Sequence, residues 1–260
     1  MKPQSATTSY VIIPARLHST RLPRKMLLAE TGKPMLQHTY EAARTASKPL
    51  GVCIATEDDE IAETCLAFGA QVAVTDAGYA SGTDRIARVA REKPFAGIEI
   101  IVNVQGDSPE IDGGTIDQAI QLLEDNPQAV MATLACPIRR REELDDPACV
   151  KVVFDTNGRA LYFSRAAVPH VRDWDDALLE SAEPRFWHHV GIYAYRREFL
   201  LQLGNLPQTP LEKLENLEQL RVLENGHAIV VGKTDVSIAS VDTPADYAAF
   251  VARQGKRLAA

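Results

Sequence analysis

The chain has 260 residues, 45% of them hydrophobic and 24% charged, and a net charge of −7. That length buries one substantial α/β core without covalent staples, and the acidic balance argues against general nucleic-acid binding. No apolar run approaches the roughly 20 residues of a membrane-crossing helix, and "MKPQSATTSY" reads as a polar lead-in with no apolar segment of a signal peptide, so a cytoplasmic protein with no membrane or nucleic-acid partner is expected.

In chain order, short β-branched runs alternate with amphipathic segments of helix length, the pattern of βαβ units and a largely parallel sheet. Strands are predicted at Tyr10–Ile13, Gly51–Ala55, Gln71–Val74, Ile98–Val104 and Ala129–Ala135. Helices are predicted between them over Met35–Ala46, Asp58–Phe68, Thr83–Arg91 and Thr115–Glu124, with Asp58 and Asp59 suited to a helix start. Cys53, Cys65, Cys136 and Cys149 lie scattered in apolar contexts without a CxxC pair, which predicts buried free thiols.

After about Pro137 the rhythm changes. "CVKVVFDTNGRALYFSR" reads as two alternating strands around Asn157-Gly158, a type I′ hairpin signal, so antiparallel structure begins here. The polar stretch Val171–Pro184 reads as a mobile loop over a site, and "HHVGIYAYRREFLLQL" as a strand running into a helix. "TPLEKLENLEQLRVLENG" reads as one helix, with Thr209 as cap, Pro210 in its first turn, Glu212 completing a capping box and Gly226 as the stop. Its leucines, spaced by three, spread over a wide arc on which Glu218 also falls, and a carboxylate there needs a partner or a ligand. The whole chain, 1–260, is expected to form a single domain.

Chemistry-bearing residues cluster at predicted strand exits, where open α/β sheets bind ligands. "VIIPARLHSTRLPRK" follows the first strand with Arg16, Arg21, Arg24 and Lys25 before any carboxylate, and with Ser19 and Thr20 among them. Such a loop can surround phosphates with charge-assisted hydrogen bonds, or be merely a solvated basic loop; neither GxxxxGK[ST] nor GxGxxG is present. "VNVQGDSPE" puts Gln105 and Asp107 at another strand exit. Asp242 in "SVDTPADY" follows an apolar run and precedes a helix, where it can be a metal ligand or simply that helix's cap. "SGTDRIARVA" holds Arg85 in a first helical turn, where the dipole disfavours cations, and Arg165, His189 and Tyr193 lie at later strand ends.

Together these segments resemble the 3-deoxy-manno-octulosonate (Kdo) cytidylyltransferases, or CMP-Kdo synthetases, along nearly the whole chain. The likeness runs from "VIIPARLHSTRLPRK" through "SGTDRIA", "VNVQGD", "ALYFSRAAVP", "HHVGIYAYRREFL" and "PLEKLENLEQLRVLENG" to "VDTPADY". It implies a glycosyltransferase-A-like nucleotidyltransferase fold, with a mostly parallel central sheet flanked by helices and a smaller antiparallel lobe, about 137–225, for sugar binding and dimerisation. It implies transfer of CMP from CTP to Kdo for lipopolysaccharide biosynthesis, with Mg²⁺ as cofactor and a homodimer as the working form. Carried over residue by residue, Arg16, Ser19, Lys25, Arg85 and Gln105 would contact the nucleotide. Gln105, Arg165, His189, Tyr193, Glu218 and Gln219 would line the sugar pocket. Asp107 and Asp242 would hold the metal and act with Lys25 in catalysis.

The chain departs from the family pattern at two places: "QGDSP" has Ser108 where QGDEP is common, and "PRKML" has Arg24 and Met26 where PGKPL is common. The alternatives are a cytidylyltransferase for another acid sugar, such as 8-amino-Kdo or a sialic-like acid, and a non-catalytic nucleotide-binding regulator.

Overall fold

The computed structural model describes residues 7–79 and 81–258; most of the polar lead-in, Ala80 and the last two residues lie outside it. The chain divides into two compact units, one running to Asp117 and resuming at Ile238, the other Gln118–Ser237.

The first unit is built on four strands, β1 (Ser9–Pro14), β2 (Val52–Thr56), β3 (Gln71–Val74) and β4 (Ile100–Asn103), in the order β3-β2-β1-β4 and all parallel. Val11, Ile12, Ile13, Ile54, Ile100 and Val102 are fully buried, as expected of central parallel strands covered on both faces. The crossovers are α1 (Met35–Ala43), α2 (Asp59–Ala67) and α3 (Gly82–Ala90), each within a few residues of its predicted span. The division falls within α4 (Gly113–Asp125), and the C-terminal helix, Pro244–Leu258, completes the first unit. The strand exits are drawn together by close approach: a Cβ on Gly106 would stand 3.0 Å from the Pro14 carbonyl and 3.1 Å from Met26. A side chain there would have to push the Pro14 carbonyl or the Met26 side chain aside by a few tenths of an ångström.

In the second unit β5 (Met131–Pro137) is followed by α5 (Arg141–Asp145), β6 (Lys151–Phe154), β7 (Ala160–Ser164), α6 (Ala177–Glu180) and β8 (Trp187–Arg196). Then come α7 (Arg197–Leu203), α8 (Pro210–Glu215), α9 (Gln219–Glu224) and β9 (Ile229–Lys233). β5 pairs antiparallel with β8 and parallel with β9, and β6–β7 is an antiparallel hairpin. The switch to antiparallel pairing after Pro137 is thus present.

Three local expectations need correction. The β6–β7 turn is not type I′, because Asn157 lacks the positive φ that type requires while Gly158 has φ +80°. The Asp155 carboxylate accepts from the N–H of both Asn157 and Arg159 and winds a longer turn. The stretch 171–184 is anchored: Trp174 and Leu179 pack with Ile138, Leu144 and Phe186, and the Arg141 guanidinium lies 4.1 Å over the Trp174 ring. The helix predicted after Thr209 is two helices, because Asn216 takes φ +51° and ends α8 in the left-handed conformation. Gly226, at φ +78°, does stop α9 as read. The leucines therefore do not share one helical arc: Leu214 is 82% exposed whereas Leu217 and Leu220 are buried.

Cys53, Cys65 and Cys136 are buried free thiols, and Cys149 is half-buried. Burial pushes Cys53 and Cys65 up to about 12 and Cys149 to about 11, which keeps these thiols protonated and unreactive.

Candidate functional site

In the first unit the loop leaving β1 turns back through a 3₁₀ turn over Lys25–Leu27, introduced by Arg24 in the left-handed conformation at φ +56°. This is the position where Arg24 stands for the family's glycine, and its side chain pairs with Glu60. Lys25 is thereby turned inward and is only 8% exposed. Its ammonium donates to Asp107 Oδ2 at 2.5 Å, to Asp242 Oδ1 at 2.9 Å and to the Val241 carbonyl at 3.3 Å. The Val241 N–H in turn donates to the Asp107 carbonyl at 2.9 Å, so backbone as well as side chains join the two aspartates; Asp107 lies just past β4, whereas Asp242 follows irregular chain and not the strand the sequence suggested. Burial lowers the Lys25 pKa, but the charges and hydrogen bonds of Asp107 and Asp242 outweigh it and leave the pKa raised.

Asp242 is not a helix cap. Thr243 takes that role: its Oγ1 accepts from the Asp246 N–H at 3.2 Å, while Asp246 Oδ2 accepts from the Thr243 N–H at 2.8 Å. That frees the Asp242 carboxylate for Lys25 and for exposed Arg21, which pairs with it at 2.9 Å.

Of the other expected nucleotide contacts, Arg16 is exposed and Ser19 half-buried on the loop after β1. Gln105 donates to Asn103 Oδ1 at 3.2 Å. Arg85, 3% exposed, bonds Thr75 Oγ1 at 2.8 Å and pairs with Glu57 at 3.1 Å. A structural pairing therefore accounts for an arginine in the first turn of α3, where Ser81 is the cap, accepting from the Asp84 N–H at 3.1 Å. Ser108 is buried, and its N–H closes the turn onto the Gln105 carbonyl at 3.1 Å.

In the second unit His189 and Tyr193 of β8 lie ring to ring at 5.3 Å, and the Tyr193 hydroxyl donates to Gln219 Oε1 at 3.3 Å. The Gln219 amide nitrogen is buried with no hydrogen-bond partner among the described residues, a donor left for something else. Burial and then the Glu218 charge push the Tyr193 phenol well above its ordinary value, which places Glu218 beside this group. Burial, with the neighbouring His188, pushes His189 down to about 3, so its imidazole is neutral at physiological pH. Arg165 is engaged elsewhere: its Nε donates to the Glu215 carbonyl at 2.7 Å and its Nη1 to the Pro147 carbonyl at 3.0 Å. Part of its donor fork is still left for a ligand.

A family model described as cytidylyltransferase matches residues 10–229. A 3-deoxy-manno-octulosonate cytidylyltransferase of Rhodopirellula baltica is 50% identical, over 94% of this chain and 97% of its own. The chain belongs to the cytidylyltransferase family. An 8-amino-3,8-dideoxy-manno-octulosonate cytidylyltransferase of Shewanella woodyi is 46% identical, over 91% of this chain and 94% of its own. The solved structure of CMP:2-keto-3-deoxy-manno-octonic acid synthetase complexed with CTP superposes with a TM-score of 0.88 at 37% identity, covering 96% of this chain and all of that one. The expected α/β fold and the family resemblance both hold.

Sequence reading missed several residues that hold the candidate site residues of this cytidylyltransferase in place. Asp58 does not cap α2 with its side chain; its Oδ2 accepts the Leu17 N–H at 2.7 Å and so fastens the loop after β1. Lys151, fully buried, donates to the carbonyls of Asp146, Cys149 and Arg165 at 2.6–2.8 Å and fixes the backbone at Arg165. Glu215 holds Ser164 and the Arg165 N–H at 2.6 and 2.9 Å. Thr243, the cap of the C-terminal helix, was also missed, and it alone had a legible signal, the Thr-Pro-Ala-Asp spacing of a helix start.

Proposed function

We propose that this protein is a CMP-Kdo synthetase, transferring the cytidylyl group of CTP to the anomeric hydroxyl of Kdo and releasing pyrophosphate, with CMP-Kdo destined for lipopolysaccharide biosynthesis. The observation that carries the proposal is the convergence of Asp107 and Asp242 on the Lys25 ammonium. It puts two hard oxygen donors and a cation together beside the exit of β4, the end of a parallel sheet where nucleotide phosphates bind in such folds.

Two carboxylates reaching one cationic centre also fit Mg²⁺, which takes oxygen ligands and is commonly held by one or two carboxylates with substrate phosphates. Asp107 and Asp242 would hold it, and it would supply charge neutralisation and Lewis acidity at phosphate oxygens. Around them Arg16, Ser19, Lys25, Arg85 and Gln105 bind the nucleotide, with Asp58 keeping the loop in shape. Arg165, His189, Tyr193, Glu218 and Gln219, with Gln105, bind the sugar acid; the bare Gln219 amide donor supports this assignment. Both substrates are anions, so the cations offset their repulsion, and catalysis comes from positioning and fixed charge rather than from a covalent enzyme intermediate.

The likeness to an 8-amino-3,8-dideoxy-manno-octulosonate enzyme at 46% identity supports a second reading, the 8-amino sugar as acceptor. Purified protein with CTP, Mg²⁺ and Kdo should release pyrophosphate, and Kdo should outcompete 8-amino-Kdo. No release where a control enzyme is active overturns the proposal, and preference for the amino sugar selects the second reading. Among the described residues no helix is long and apolar enough to cross a membrane, which supports a cytoplasmic site of action. The exposed Leu214 of α8 supports a homodimer, and a monomeric sedimentation profile would remove that part.

A further inference from the structure

Thr133 of β5 is fully buried, and its hydroxyl meets three groups of β8. Its Oγ1 lies 2.7 Å from the Ile192 carbonyl, 3.1 Å from the Val190 carbonyl and 3.0 Å from His189 Nε2. The convergence comes from an irregularity in the ladder: Thr133 stands opposite Tyr193 but the next residue, Leu134, stands opposite Val190, so Gly191 and Ile192 are looped out.

A threonine hydroxyl carries one proton and two lone pairs. A carbonyl oxygen can only accept, and two oxygens at 2.7 Å repel each other unless a proton lies between them. The proton of Thr133 is therefore committed to the Ile192 carbonyl, and the hydroxyl has only a lone pair to offer His189. The Nε2 atom must then be the donor. His189 is also walled by the Phe163 ring edge-on at 5.0 Å and by the Tyr193 ring at 5.3 Å, surroundings that disfavour a second proton. A neutral ring with its proton on Nε2 has an unprotonated Nδ1, which has no hydrogen-bond partner among the described residues.

We propose that Thr133 is a positioning residue that holds His189 as the Nε2–H tautomer, so that the imidazole offers its Nδ1 lone pair to a hydroxyl of the sugar acid and makes no charged contact with the carboxylate. The substrate half of this statement rests on the assignment of His189 to the sugar acid; the tautomer half does not. A fixed acceptor of this kind rejects an analogue lacking the hydroxyl, because the polar atom is then left unpaired.

The test is ¹⁵N NMR of the histidine-labelled protein, with the His189 signals identified by their loss in His189→Gln. The expected pattern is a protonated, pyrrole-like Nε2 and an unprotonated, pyridine-like Nδ1. In Thr133→Val the pattern should shift toward the other tautomer, and the KM for Kdo should rise on the order of tenfold with the KM for CTP unchanged. Thr133→Ser should restore both. A purely structural threonine would lower Tm without moving the tautomer. A wild-type ring protonated on Nδ1, or a Thr133→Val ring that keeps the wild-type pattern, overturns the proposal. If Thr133→Val does not fold, the wild-type spectrum and Thr133→Ser still decide it. The expected tautomer in a protein that never turns over Kdo overturns the substrate half alone and, with it, the functional reading.

Discussion

The Lys25 ammonium stands 2.5 Å from Asp107 and 2.9 Å from Asp242, so one cation ties two carboxylates far apart in sequence to the loop after β1. Asp107→Asn keeps the shape and an oxygen acceptor while removing one charge, and Lys25 retains Asp242 and the Val241 carbonyl. Turnover of CTP and Kdo should fall at least about a hundredfold, the usual effect of deleting one group aimed at developing charge. The melting temperature should shift by only a few degrees. Unchanged turnover would remove Asp107 from the metal-binding pair.

Asp58 tests how the loop itself is held. Asp58→Ala deletes the acceptor of the Leu17 N–H and leaves that donor searching for water. A net hydrogen bond to a charged group is worth about 1.5–3 kcal/mol. The KM for CTP should therefore rise by about tenfold or more with a smaller change in kcat, and Asp58→Asn should recover part of the loss. An unchanged KM would mean that the loop is ordered by other contacts.

The parallel strands and their helices were legible because buried strands are written as continuous apolar runs and surface helices as amphipathic ones. The candidate residues were legible singly, at strand exits. What no local pattern carries is which partner a polar side chain chooses. Asp242 read more readily as a cap than as a ligand until Thr243 was seen to take the cap. The break at Asn216 was hidden inside a good helical sequence because its stabilising contact, Arg221 with Glu212, spans it. Val171–Pro184 looked polar enough for a mobile loop, yet a few apolar side chains anchor it.

His189 makes stability depend on acid. Its pKa falls from an ordinary 6.5 to about 3 in the folded protein, because burial, then the charge of His188, disfavours the imidazolium. Between those values the unfolded chain binds a proton that the native state does not, so stability is full above about 6.5 and declines as pH falls toward about 3. The slope from one such group is at most about 1.4 kcal/mol per pH unit. His188, also lowered by burial, acts in the same direction. Urea unfolding at about pH 7 and about pH 5 should show the loss, above the range where most carboxylates titrate. His189→Gln should flatten the decline, and an equally steep one in that variant would assign it elsewhere.

The pairing of Arg221 with Glu212 decides whether α8 and α9 act as one piece. Both residues are buried, at 6% and 4% exposure, and the contact is two-pronged: Nε to Oε2 at 2.8 Å and Nη2 to Oε1 at 2.5 Å. Glu212 Oε2 also accepts the Thr209 N–H at 3.2 Å, so the same carboxylate caps α8 and grips α9 across the Asn216 break. Arg221→Met removes the cation and leaves a bare buried carboxylate, which should cost about 3–5 kcal/mol. Glu212→Gln combined with Arg221→Met removes the stranded charge as well, and should recover much of that loss because a neutral amide is far less costly to bury. Urea unfolding of the wild type and these two variants gives the comparison. If the single Arg221→Met costs less than about 1 kcal/mol, Glu212 is reaching water, and the ion pair is not what holds α9, with Gln219 at its start, against α8.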